Sequence, residues 1–303
     1  AGFAAGSLVC LHQWETHSLR KGADSVHRLR TASQKYSIVF ALLTLVIWTV
    51  LLLGISMLLP YPLLRWDPYL PQLLLDTLLA AGGIGMLSLL GDLSILRFSG
   101  KQFGKRLLVG GYFLLIGASS LIQNLASADR GTIRSPGHLL IFVLSMLMIG
   151  VAEEITFRGV IATLLFRQYG KTTSGVWFCV IASGILFGCP HFINAIGGGS
   201  AFTGVLVQAV SAVGSGMVFT AMYYRTRTIW VPILLHAWID FAGLIVSGLY
   251  GEGTIGTVIS SYSLWQMVSV LPYLIIAAYL LRDTKMQEIL QTTKSDSALS
   301  STI

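Results

Sequence analysis

Eight apolar runs, each of the length that crosses a bilayer, take up most of this chain and leave it few ways to fold. They cover residues 36–59, 73–96, 107–127, 138–166, 175–195, 202–223, 229–249 and 262–281. A spanning helix needs about 17–25 predominantly apolar residues. The runs therefore predict an all-α polytopic transmembrane bundle of about eight helices. Its domain would occupy residues 36–282, between a polar, basic tail at 1–35 and a polar tail at 283–303. The second run is weakened by Asp76 and Asp92, and the fifth is interrupted by Pro190 before Gly197-Gly198-Gly199. Only 11% of the residues are charged, against about 25% in soluble domains. That deficit excludes a soluble enzyme.

The net charge of +7 does not point to nucleic acid, because Lys and Arg sit in short connections and form no basic domain. They encode topology instead. If eight spans put both termini on one side, sixteen of the twenty Lys and Arg fall on that side, and only Arg65, Arg130 and Arg134 fall opposite. Basic loops stay cytoplasmic, so both termini are expected there. Residues 1–35 lack a hydrophobic core, and no signal peptide is expected. Cys10, Cys179 and Cys189 form no CxxC pair, so neither a disulfide framework nor a zinc cluster is expected. Cys189 reads as a packing residue. Gly82, Gly83, Gly85, Gly214 and Gly216 have the spacing of close helix contacts.

Against this background Glu153, Glu154 and Arg158 stand out within the fourth run. Each ionisable residue at the centre of a bilayer works against insertion by about 2.5–3.5 kcal/mol, so the default reading is functional. Glu154 and Arg158, four apart, share a helix face and can pair. Glu153 points about a quarter-turn away, toward an interior cavity, where a carboxylate suits a general base. His191 follows Pro190, which kinks the helix. His236 and Asp240 are four apart in the seventh run, and Asn194 lies three beyond His191. Singly, each residue has an ordinary structural role: a hydrogen-bonded buried histidine, a helix-end amide, an interfacial Asp92. Their joint occurrence in three hydrophobic helices is harder to assign to structure. The depths do not match along the straight runs: His191 lies nearer the outer end, His236 nearer the inner.

In this order the residues resemble a known pattern. Glu153-Glu154-x-x-x-Arg158, Phe187-x-x-x-His191 and His236-x-x-x-Asp240 are similar to the motifs of the CPBP family of intramembrane glutamic endopeptidases, also called Abi, which includes the CAAX prenyl endopeptidases. The resemblance covers residues 138–245. It implies that Glu153 acts with His191 to activate a water for attack on a peptide carbonyl. It implies that His236 and Asp240 stabilise the oxyanion or orient the substrate, while Glu154, Arg158 and Phe187 support the site. No cofactor and no metal is implied. The implied partners are membrane lipid and a peptide or lipidated protein. Asp240 stands where the prenyl endopeptidases usually carry asparagine. An ionised aspartate would repel an oxyanion, so Asp240 is either protonated or orients His236.

Three other readings compete. Two histidines and a carboxylate also make a catalytic zinc set, although H-E-x-x-H is absent. A non-catalytic subunit or assembly factor of a membrane complex could dock through the tails. Intramembrane acids also serve proton-coupled transport, but repeat symmetry and matched broken helices are lacking. The expected location is a bacterial inner membrane, with an organellar membrane as the alternative.

Overall fold

In the computed structural model, residues 22–59, 66–129, 131–196, 200–251 and 255–300 are described, with side chains through 291 except that of Ile255. Cys10, Arg65, Arg130 and the Gly197–Gly199 run lie outside them. Every one of the eight apolar runs is helical, and the described residues contain no strand. A helix over residues 22–35 (α1) leads into α2, Ser37–Leu58. Then come α3, Leu70–Leu90; α4, Phe103–Ser127; α5, Pro136–Tyr169; α6, Thr173–Ala195; and α7, Phe202–Thr226. Four shorter pieces follow: α8, Trp230–Gly243; α9, Ile245–Tyr250; α10, Ile255–Ser260; and α11, Leu264–Leu280. A last helix, α12, covers Asp283–Ser300.

Six of these, α2 to α7, are long and apolar enough to cross a membrane by length and composition. A seventh is added if α11 and Asp283–Gln291 are one span, bent by 63°. The expected seventh run is divided. Its main part, α8, has 14 residues, about 21 Å at 1.5 Å per residue, short of the ~30 Å hydrocarbon core. The cause is local. Asn124 Nδ2 on α4 donates to the carbonyl of Ala242 at 2.9 Å and to that of Gly243 at 3.4 Å. Those carbonyls lose their helical partners where the chain turns into α9, and the amide replaces them.

Burial separates core helices from lipid-facing ones. In the apolar window of α7, 67% of the residues are buried, against 17% in α2. Thus α7 is the central post, and α2 turns Val39, Leu42, Leu43, Val46 and Val50 outward. Close contacts between α6 and α7 come from glycine. A Cβ on Gly184 would lie 2.7 Å from Val213 O, and one on Gly188 2.7 Å from Ala209 O. Gly216 and Gly214 also meet neighbours, Phe187 at 3.0 Å and Val270 at 2.8 Å. Of the other glycines with packing spacing, Gly83 meets Ile155 at 2.9 Å, whereas Gly82 and Gly85 face open space.

Helix ends follow their residues. Ser135 Oγ accepts from His138 N, with Pro136 in the first turn of α5, and Thr172 Oγ1 accepts from Gly175 N at the start of α6. Gly91, at φ 82°, closes α3 in the left-handed conformation. Arg30 of α1 covers the end of α3, its Nε donating to Leu89 O at 2.9 Å. Asp92 pairs with Arg167 of α5. The basic tail is thus helical over residues 22–35 and tied to the bundle.

Candidate active site

The central departure from ideal geometry lies in α5. Ile155–Ala162 winds as a π-helix, and every one of its residues is buried. Such segments are rare and concentrate at functional sites. The wider winding leaves the Arg158 carbonyl to accept from Thr163 Oγ1 at 3.1 Å. The segment starts one residue after Glu154, so both glutamates project from the last α-helical turn before it.

Around Glu154 the partners are closed. Arg158 Nη1 donates to Glu154 Oε1 at 2.8 Å, with both side chains fully buried. Arg158 Nη2 donates to Gly216 O at 3.2 Å, a carbonyl of α7. The guanidinium lies 4.3 Å from the Phe187 ring centroid and 5.2 Å from that of Phe219, so its faces contact aromatic π systems. The same Glu154 Oε1 receives His236 Nδ1 at 2.8 Å. A carboxylate only accepts, so this contact places a ring proton on Nδ1 and frees Nε2 for other work. Phe219 stacks on the imidazole at 5.2 Å and 18°. Glu154 Oε2 and Arg158 Nε have no hydrogen-bond partner among the described residues.

Glu153 is less enclosed. Its carboxyl oxygen lies 3.6 Å from His236 Nε2, and so does that of Asp240. Side-chain exposure is 18% for Glu153 and 30% for Asp240, against 9% for His236. The cluster therefore grades from a closed base, Arg158–Glu154–His236, to a more open mouth formed by the two acids.

His191 stands across Phe187. Its Nδ1 donates to Phe187 O at 3.1 Å, which leaves Nε2 as the ring acceptor. The Phe187 ring is 5.4 Å from His191 and 5.8 Å from His236. Among the described residues no hydrogen bond or ion pair joins His191 to Glu153. The depth mismatch expected along straight runs is resolved by two local features. The end of α6 rewinds as a 3-10 turn over Cys189–Ala195, and α8 is short. Asn194 belongs elsewhere, donating to Gln208 of α7 at 2.9 Å. Cys189, expected to be a packing residue, is exposed. It lines an apolar groove of ≈ 200 Å³ between α2 and the turn that carries His191, together with Leu45, Thr49, Pro190, Phe192, Ile193 and Ile196. No three His, Cys, Asp or Glu side chains among the described residues are arranged to hold a metal ion.

Asp76 is a further buried acid. It is 3% exposed, on α3, and Gln72 Nε2 donates to its Oδ2 at 2.7 Å. Its signal was present, an acid inside an apolar run, but pattern alone does not say which neighbour that face of α3 meets. The partnership of Glu154 with His236, which joins residues far apart in the chain, was equally invisible.

Fold and site together define an integral membrane protein, an all-helical bundle with an acid–histidine cluster among its apolar helices. Residues 135–242, from the cap of α5 to the end of α8, match the Rce1-like family, described as type II CAAX prenyl endopeptidase Rce1-like. The match contains the three motifs and bears out the resemblance to the CAAX prenyl endopeptidases. No curated protein and no solved structure matches the chain.

Proposed function

We propose that the protein hydrolyses a peptide bond within the membrane by a water activated at Glu153. The carrying observation is the meeting of Glu153 and Asp240 at His236 Nε2, each at 3.6 Å, inside a segment similar to type II CAAX prenyl endopeptidases. In this reading Glu153 takes a proton from water as the hydroxide adds to the carbonyl carbon. His191, its Nδ1 held by the Phe187 carbonyl, offers Nε2 to orient that water. His236, held through Nδ1 by Glu154 with the Glu153 and Asp240 carboxyls at Nε2, carries both ring protons before the attack and donates from Nε2 to the oxyanion. The C–N bond then breaks, and the proton taken by Glu153 passes to the leaving nitrogen. Asp240, 3.6 Å from Nε2, supports the charge on His236. Arg158 and Phe187 hold this base in place.

The substrate in this proposal is a membrane-anchored or lipidated peptide. The apolar groove beside Pro190 borders the turn that bears His191 and suits the approach of an apolar chain from the bilayer. The unit that performs this is residues 36–282, with both termini cytoplasmic, in a bacterial inner membrane. The test is mass-spectrometric detection of cut sites in a library of prenylated and membrane-anchored peptides, in nanodiscs. Cleavage by wild type that disappears in Glu153→Gln and falls in His191→Ala and His236→Ala supports the proposal. Equal cleavage by Glu153→Gln would end it.

A further inference from the structure

A second apolar groove opens on the outside of the bundle, away from the acid–histidine cluster. It holds ≈ 190 Å³ between Ile38 and Leu42 of α2 and Phe178, Ala182 and Ile185 of α6, with Leu165 of α5 as its floor. The floor is buried and the bulky wall residues are exposed, so the hollow faces the bilayer. Ala182, small between larger neighbours, leaves it unfilled. One turn further along both helices lies the groove of Leu45, Thr49 and Cys189 beside Pro190. The lining residues of the two grooves advance together along α2 and α6, so these helices run in the same direction and the grooves follow one seam. From Ile38 to Thr49 the helix rises about 16 Å, close to one leaflet of a hydrocarbon core of ~30 Å.

The end of the seam at Ile38 and Phe178 is polar and basic. Gln168, three residues beyond Leu165, pins the corner between α1 and α2: its Nε2 donates to Lys35 O at 3.1 Å, and its Oε1 accepts from Ser37 Oγ at 2.6 Å. On the other wall the Tyr169 ring lies 5.1 Å from that of Phe178, and Lys171 follows, its amide donating to Tyr169 O at 2.8 Å. Lys35 and Lys171 are exposed, and neither is ion-paired among the described residues. Arg167, beside Gln168 in the chain, is by contrast committed to Asp92. Tyr36, at the same corner, is 52% exposed, as an aromatic ring at the membrane–water interface is. The seam thus joins a lipid-facing apolar trough to two uncommitted cations at headgroup level. A second copy of this chain in the same orientation would set its own lysines at that level, where they repel.

We propose that the seam between α2 and α6 is a binding site for one anionic phospholipid. Its phosphate meets Lys35 and Lys171, and one acyl chain lies in the groove over Leu165, directed toward Pro190. This does not rest on the proteolytic reading. The test uses the full chain in phosphatidylcholine nanodiscs holding a trace of phosphatidylglycerol with a photoreactive group in its acyl chain. Labelled residues are mapped by mass spectrometry, and unlabelled lipids are added as competitors. Label is expected within Ile38–Leu42 and Phe178–Leu186, displaced by phosphatidylglycerol and not by further phosphatidylcholine or by soluble glycerol phosphate. Lys35→Gln and Lys171→Gln are each expected to weaken that competition about fivefold, the effect of one lysine near an anionic surface. Ala182→Leu, which fills the hollow, is expected to lower labelling with both lysines in place. Ile38→Trp, from an exposed wall, stands in if that variant does not fold. Label spread evenly over the lipid-facing helices, equal displacement by phosphatidylcholine, or competition unchanged in both lysine variants overturns the proposal. So does an unlabelled seam in nanodiscs that hold two copies of the chain.

Discussion

Glu154 Oε1 takes two partners, Arg158 and His236, each at 2.8 Å, while Glu153 takes none that close. The adjacent glutamates therefore differ in kind. Replacing Glu153 by glutamine removes a base without removing a support. Cleavage should fall by about 10²–10⁴-fold, the range of general acid–base contributions, with helicity and melting temperature close to wild type. Replacing Arg158 by methionine leaves Glu154 buried without its cation and should destabilise the fold by about 3–5 kcal/mol, read by chemical denaturation in detergent. The double variant Arg158→Met, Glu154→Gln should recover part of that loss, because no uncompensated charge remains. The Glu154–Arg158 pairing was legible from spacing, since four residues in a helix define a face. The His236 contact was not, since it joins residues 82 apart and depends on how α8 lies across α5.

At the scale of elements, the proposed active arrangement depends on a backbone contact one turn before Glu154. A Cβ on Gly150 would lie 2.7 Å from Ile233 O and 3.2 Å from Ala237 N of α8. Both are backbone atoms and cannot rotate away. Gly150→Ala should therefore push α8 outward, cost about 1–3 kcal/mol and separate His236 from Glu154. Gly82→Ala, with nothing within 4 Å of its Cβ, should change neither stability nor cleavage. Measured melting temperatures and rates for the two variants check this. Helix existence was legible at all eight runs, because apolar length alone dictates it. Winding was not. Nothing in Ile155–Ala162 announces a π-helix, and nothing in residues 229–249 shows that Asn124 will end α8 at Gly243. The short α8, together with the 3-10 turn over Cys189–Ala195, sets His191 and His236 around Phe187.

At the scale of the whole molecule, the ends of the bundle are tied at one side. Arg30 reaches Leu89 O, Gln168 joins Ser37 and Lys35 through hydrogen bonds of 2.6 and 3.1 Å, and Trp230 Nε1 donates to Leu96 O at 3.0 Å. These ties gather the connections that hold most of the basic residues. If that side is cytoplasmic, a reporter fused at the C-terminus should report cytoplasm, and one inserted after Ser127 should report the opposite side. The chemistry assigned to the bundle makes one demand above all: cleavage should depend on the Glu153 carboxylate and not on a metal ion. The most direct test is the rate of cleavage of one membrane-anchored peptide in nanodiscs by wild type and Glu153→Gln, each with and without a chelator. The account predicts wild-type cleavage unchanged by the chelator and lost in Glu153→Gln. Cleavage that vanishes with the chelator and returns with added zinc, or that survives in Glu153→Gln, would contradict it.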